Sequence, residues 1–130
     1  MTRILVTDDD PAVRSLLLEV LGDAGYHVEG AIDGDAALAA LRADTFDLVI
    51  TDLFMPRKDG IELLMEIRAH YPHLPIIAVS GGSPGLGLGV DLLKAAQRLG
   101  AAAVLRKPVR CADLLETVHR LLAARDSSAP

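Results

Sequence analysis

The chain has 130 residues, 51% of them hydrophobic, which suits a single domain with one well-buried core. Lys and Arg number 13 against 18 Asp and Glu, a net charge of -5, so the basic footprint of a nucleic-acid binder is missing and direct binding to nucleic acid is not expected. Cys111 is the single cysteine, which excludes an internal disulfide and a cysteine zinc site; no apolar stretch is long enough to span a bilayer, and together these place the chain in the cytoplasm, away from membranes.

In chain order, Ile4, Leu5 and Val6 form a first apolar run that reads as a buried strand. Asp9 or Asp10 can cap the helix that follows, with Pro11 in its first turn; Val13, Leu16, Leu17, Val20 and Leu21 fall on one stripe, and Gly22 or Gly25 can end it. A weaker strand covers residues 27–31, and Asp33-Gly34 marks the turn into a second helix carrying Ala37, Leu38 and Leu41. Residues 48–50 form a third strand, and Ile61, Leu64, Met65 and Ile67 give helical spacing after it. A fourth strand at residues 76–79, a helix at 92–99, a fifth strand at 103–105 and a helix with Leu114, Leu115, Val118, Leu121 and Leu122 complete the pattern; Cys111 stands near the start of that last helix. Five alternations of strand and helix predict an α/β fold with a parallel sheet and right-handed crossovers. The domain is expected over residues 1–125, with the polar residues 126–130 a disordered tail.

In such a sheet, ligands bind beyond the carboxyl ends of the strands. The first strand ends in Thr7-Asp8-Asp9-Asp10, the third in Thr51-Asp52, the fourth in Ser80-Gly81-Gly82 and the fifth in Arg106-Lys107-Pro108. Carboxylates about 4 Å apart repel by roughly 4 kcal/mol per pair at an effective dielectric of 20, so such a cluster wants a cation or takes up protons. Mg²⁺ suits it, being a hard ion held by one or two carboxylates together with phosphate oxygens; Mn²⁺ can substitute. A metal so held invites a phosphoryl group, with Asp52 as nucleophile and with Lys107 and Ser80 holding the remaining phosphoryl oxygens.

Over roughly residues 3–124 the chain resembles the receiver domains of two-component response regulators, single-domain chemotaxis regulators among them. The resemblance is carried by Ile4-Leu5-Val6-Thr7-Asp8-Asp9-Asp10-Pro11, by Asp47-Leu48-Val49-Ile50-Thr51-Asp52-Leu53-Phe54-Met55-Pro56-Arg57-Lys58-Asp59-Gly60, by Ala78-Val79-Ser80-Gly81 and by Lys107-Pro108. It implies a flavodoxin-like doubly wound (βα)5 sandwich of three layers, with a five-stranded parallel sheet of order 2-1-3-4-5. Asp9 and Asp52 would ligate Mg²⁺ directly, Asp8 through water, and Phe54 through its backbone carbonyl. Asp52 would take phosphate from a sensor histidine kinase or histidine phosphotransfer protein. Ser80 matches the Ser/Thr switch position and Lys107 the bridging lysine. Pro108 would follow a cis bond that turns Lys107 inward, and Asp59-Gly60 would turn the chain into the third helix. The result would be a phosphoprotein whose changed shape controls binding of a downstream protein, and which catalyses only its own phosphorylation and dephosphorylation.

The sequence also departs from the family's pattern. Val104 stands at the switch position where an aromatic ring is common, and the glycine-rich stretch at residues 81–89 lengthens the spacing from Ser80 to Lys107. That stretch fits no nucleotide-binding motif and reads as a flexible loop whose order changes on phosphorylation. Phe54 and Gly82 offer no polar side chain to orient a hydrolytic water, so slow self-dephosphorylation is expected. His27, His70, His73 and His119 lack ligand spacing and read as surface or partly buried, and Phe46, Met55 and Met65 as packing residues. Two other functions fit the same residues: a Mg²⁺-dependent phosphohydrolase, disfavoured because Phe54 replaces the second acid, and a phosphate-independent interaction module, disfavoured by the intact set Asp8, Asp9, Asp52, Ser80 and Lys107.

Overall fold

The computed structural model describes residues 1–55, 60–81 and 88–127, with 88–92 and 126–127 described as backbone. Five strands, β1 (Arg3–Thr7), β2 (His27–Ala31), β3 (Leu48–Asp52), β4 (Ile76–Ser80) and β5 (Ala103–Arg106), alternate with helices α1 (Pro11–Asp23), α2 (Gly34–Ala43), α3 (Gly60–His70), α4 (Leu88–Arg98) and α5 (Cys111–Ser127). The strands are parallel in the order β2-β1-β3-β4-β5, the expected one.

Strand alternation sorts the apolar residues into two cores. Leu5, Val49, Ile76 and Ala78 face α2, α3 and α4, packing with Leu38, Leu41, Leu63, Leu64, Ile67 and Leu93. Ile4, Val6, Leu48, Ile50, Ile77 and Val79 face α1 and α5, packing with Leu17, Leu21, Leu114 and Val118. The central strands are therefore buried on both sides, and each fully buried aliphatic side chain contributes about 1.5–3 kcal/mol. β2 read weakly in the sequence because it is an edge strand, with His27, Glu29 and Gly30 exposed.

Helix ends follow their local chemistry. Asp10, of the two candidate caps, accepts from the backbone N–H groups of Ala12 and Val13, and Asp33 caps α2 through Ala36. α1 closes with Gly25 at φ 99°, the Gly25 N–H donating to Gly22 and the Tyr26 N–H to Leu21; α4 closes in the same way at Gly100, φ 108°. α4 begins at Leu88, so Leu88 and Gly89 are helical where the sequence suggested loop; residues 82–87 lie outside the described ones. α5 runs to Ser127, two residues into the expected tail, and residues 128–130 lie outside the described ones, as do 56–59 with the expected Asp59 turn. Phe46 and Met55 are buried, whereas Met65 is 53% exposed and not a packing residue: it falls on the outer side of α3, off the stripe of Leu63, Leu64 and Ile67.

Gly60 ties α3 to the end of β3. Its N–H donates to the Leu53 carbonyl at 3.0 Å, and a Cβ there would overlap the Asp52 carbonyl oxygen and the Leu53 Cα, which are backbone and cannot step aside alone. Gly60→Ala is expected to cost on the order of 1–3 kcal/mol through this overpacking. Urea unfolding should show a lowered midpoint at unchanged slope; an unchanged midpoint would contradict the close approach.

Candidate functional site

The register of β1 and β3 pairs Thr7 with Thr51, so the residues that follow, Asp8 and Asp52, emerge side by side at the carboxyl end of the sheet. Both are nearly enclosed, at 2% and 4% exposure, while Asp9 is exposed. One carboxylate oxygen from each of Asp8, Asp9 and Asp52 lies within 4.8 Å of the others. From the far edge, Lys107 reaches in after β5: its Nζ is 3.1 Å from Asp8 Oδ2 and 3.2 Å from Asp52 Oδ2. The Lys107–Pro108 peptide is cis. The stem of Lys107 runs past Gly81, where a Cβ would sit 3.1 Å from the lysine Cδ.

The remaining oxygens are held by backbone. Asp8 Oδ1 accepts from the Asp10 N–H at 2.9 Å, and Asp52 Oδ1 from the Phe54 N–H at 3.1 Å. Asp9 alone of the three has a carboxylate that accepts no hydrogen bond among the described residues. Arg14, one turn into α1, donates through Nη1 to the Asp8 carbonyl at 2.8 Å. Sequence reasoning passed over Arg14; its signal was its place four residues after the capping Asp10.

Electrostatically the site is unbalanced, two buried carboxylates sharing one ammonium. Burial pushes the Asp52 carboxyl above the usual carboxylate range, aided by the neighbouring Asp8 charge, and the Phe54 N–H and Lys107 offset this only in part. Burial pulls Lys107 down, yet Asp52 and Asp8 together overrule it and raise its pKa.

Ser80 ends β4 one residue beyond Val79, the partner of Asp52 in the register; it is 1% exposed and its Oγ has no hydrogen-bond partner among the described residues. Phe54 lies just past Asp52 with a 59% exposed ring. Val104 stands on β5 beside Ala78, half-buried against the α4 side of the core. Gly82 lies outside the described residues. All four histidines are exposed, and Cys111 is an exposed first residue of α5. A cleft of about 610 Å³ lies at the opposite end of the strands, between Arg68, Pro75, Ala102 and Leu121. There the Arg68 guanidinium is engaged with the carbonyls of Tyr71, Pro72, Leu74 and Gly100, so it serves to join loops.

The three carboxylates fit a hard divalent cation: every donor is oxygen, the cluster carries excess negative charge, and Asp9 accepts no hydrogen bond among the described residues. A parallel doubly wound sheet with acids and a lysine across its carboxyl rim defines a class of flavodoxin-like α/β proteins. Within that class the chain belongs to the response regulator receiver domain family, whose model matches residues 4–119. It is a receiver domain of two-component response regulators. It is 35% identical over 124 residues to the response regulator receiver protein CpdR of Brucella abortus, covering 95% of this chain and 99% of that one. It is 37% identical over 118 residues to the response regulator protein FleR of Pseudomonas aeruginosa, covering 91% of this chain but 24% of that protein; the chain thus spans about a quarter of that relative. Among solved structures, a CheY-like receiver domain protein from Methanospirillum hungatei superposes with a TM-score of 0.91 at 29% identity, covering 99% of each chain. The receiver domain of NtrX from Brucella abortus gives 0.85 at 34% identity, covering 92% of this chain and 98% of that one. These likenesses give no support to the phosphohydrolase or to the phosphate-independent module. Among the described residues no helix is long and apolar enough to cross a membrane.

The raised Asp52 pKa has a stability consequence. The native state holds this proton more tightly than the unfolded chain does, so metal-free stability falls as pH rises from the ordinary carboxylate value through the raised one. Above that window the full cost of the buried charge persists. Asp52→Asn should therefore melt higher than wild type in metal-free buffer at neutral pH, the gap closing as pH drops below the window. Thermal melts of both proteins against pH check this; a lower melting temperature for Asp52→Asn at neutral pH would contradict it.

Proposed function

We propose that this receiver domain is a phospho-accepting switch in which Asp52 is the phosphorylated residue. The observation that carries the reading is the convergence of Asp8, Asp9, Asp52 and Lys107 on one rim from three strand ends. Receiver domains of this family work with histidine kinases, and a kinase or a histidine phosphotransfer protein is the donor assigned here. An Asp52 carboxylate oxygen bonds to phosphorus as the bond from phosphorus to the donor's imidazole nitrogen breaks, leaving a phosphorylated Asp52 and a free histidine.

Mg²⁺ is the assigned cofactor, with Mn²⁺ able to replace it. Asp9 and Asp52 would hold it directly, together with the Phe54 carbonyl. Asp8 takes the outer position, acting through water. When bound, the ion supplies positive charge against the acceptor carboxylate and the phosphoryl oxygens. Lys107 donates to a phosphoryl oxygen, and the Ser80 hydroxyl, buried with no partner among the described residues, donates to another. A hydroxyl so placed gains a hydrogen bond to the phosphoryl group in the phosphorylated state, which biases a two-state equilibrium.

Val104 offers no ring to swing, so Ser80 and the segment after it carry the switch, including residues 82–87 outside the described ones. The output is binding of a downstream protein through α4, β5 and α5, not of nucleic acid by this domain's own acidic surface. The domain, assigned to residues 1–125, turns over no separate substrate and works in the cytoplasm.

Incubation with acetyl phosphate and Mg²⁺ is expected to shift wild type on a phosphate-sensitive gel. Asp52→Asn, or wild type with chelator, should show no shift; equal labelling of Asp52→Asn would overturn the assignment. The phosphorylated form is expected to outlast that of Phe54→Asn several-fold, since an amide at this position can orient water, on the order of 1 kcal/mol of barrier. Decay of the shifted band after donor removal measures it, and equal lifetimes would remove the idea.

A further inference from the structure

We infer that Arg14 is a positioning residue for the metal site: it brackets Asp9 by holding the carbonyl groups on either side of it. The inference rests on the metal-site reading above and adds a residue to it. The Arg14 guanidinium donates to the Asp8 carbonyl at 2.8 Å, and its backbone N–H donates to the Asp10 carbonyl at 2.9 Å. Asp10 is further fixed by its N–H on Asp8 Oδ1 and by its side chain on the first turn of α1, while the Asp8 N–H donates to the Ala31 carbonyl of β2. The backbone on both sides of Asp9 is thus pinned, while its carboxylate accepts nothing among the described residues.

On its way the Arg14 side chain passes close over Gly30 of β2. A Cβ on Gly30 would stand 3.2 Å from the Arg14 Cδ and 3.4 Å from its Cγ, so the stem lies flat along the strand edge before the guanidinium turns to the Asp8 carbonyl. This side chain adds to the Asp8–Ala31 and Asp10 cap hydrogen bonds that join the edge strand, α1 and the acidic loop. Loss of a group that orients a metal's ligands through hydrogen bonds typically costs about 10–100-fold in metal affinity or activity.

Two substitutions separate the donor from the stem. Arg14→Met keeps the aliphatic packing on Gly30 and loses the hydrogen bond, whereas Arg14→Lys keeps a cationic donor. Mn²⁺ is the probe, its binding read directly by electron paramagnetic resonance, with Asp9→Asn as the ligand-loss control. Arg14→Met is expected to weaken Mn²⁺ binding about 10-fold, Arg14→Lys to recover most of that, and saturating Mg²⁺ to restore the Arg14→Met phosphorylation rate from acetyl phosphate. Excess metal also offsets a general loss of stability, so metal-free melting temperatures are compared alongside: ligand positioning predicts weakened Mn²⁺ binding at temperatures where metal-free Arg14→Met is fully folded. If Arg14→Met binds Mn²⁺ as tightly as wild type while Asp9→Asn does not bind, the bracketing role is overturned and the metal site stands. If wild type itself takes up no Mn²⁺, the site reading falls and the role of Arg14 with it.

Discussion

Two carboxylates are buried beside one ammonium, and the rest of the molecule is arranged around that imbalance. Asp8 and Asp52 keep only 2% and 4% of their surface, and Lys107 touches both. At an effective dielectric of 20, like charges 4 Å apart cost about 4 kcal/mol, a sizeable fraction of the stability of a small domain. Burial, aided by the neighbouring Asp8 charge, raises the Asp52 pKa above the usual carboxylate range, and Lys107 offsets this only in part. The same excess charge that burdens the resting protein suits the rim to a divalent cation. On the function proposed above, stability is surrendered at the place assigned to phosphate chemistry.

The sheet makes the crowding unavoidable. β1 and β3 are neighbours although β2 lies between them in the chain, and their register leaves Asp8 and Asp52 with nowhere to go but the shared rim. Backbone amides at Asp10 and Phe54 each satisfy one oxygen, and Gly60 lets α3 start hard against the backbone of Asp52. The far end of the sheet is fastened by long-range contacts. The Asp47 carboxylate accepts from the Arg3 N–H and from Arg125 at the end of α5, and Arg68 draws the loops before β4 and β5 together. One end of the molecule is thus bound up in hydrogen bonds while the other keeps unspent groups.

Much of this was legible in the chain because it is written locally. Short apolar runs gave the central strands, since burial on both faces demands uninterrupted Ile, Leu and Val; Asp10, Asp33 and Gly25 stand at helix ends for reasons of capping and backbone conformation. The acids at successive strand ends then pointed to one rim, because parallel strands bring their carboxyl ends together. What escaped was set by contacts distant in sequence or by direction. Neither the reach of Arg68 across 32 residues to Gly100 nor that of Arg125 across 78 to Asp47 has any local periodicity to announce it. Asp8, Asp9 and Asp10 look alike as letters; only their partners among the described residues separate the buried, engaged Asp8, the exposed Asp9 that accepts no hydrogen bond there, and the helix cap Asp10. Met65 seemed apolar and therefore inward, yet its position on α3 turns it to solvent.

The most direct test of this account is anomalous scattering from a crystal of the purified protein soaked with Mn²⁺. It predicts a single strong peak at the carboxyl rim of the sheet, within bonding distance of carboxylate oxygens from both Asp9 and Asp52, with Asp8 one shell further out. A saturating soak that leaves the rim without a peak, or a peak bound by neither of those two side chains, would contradict it.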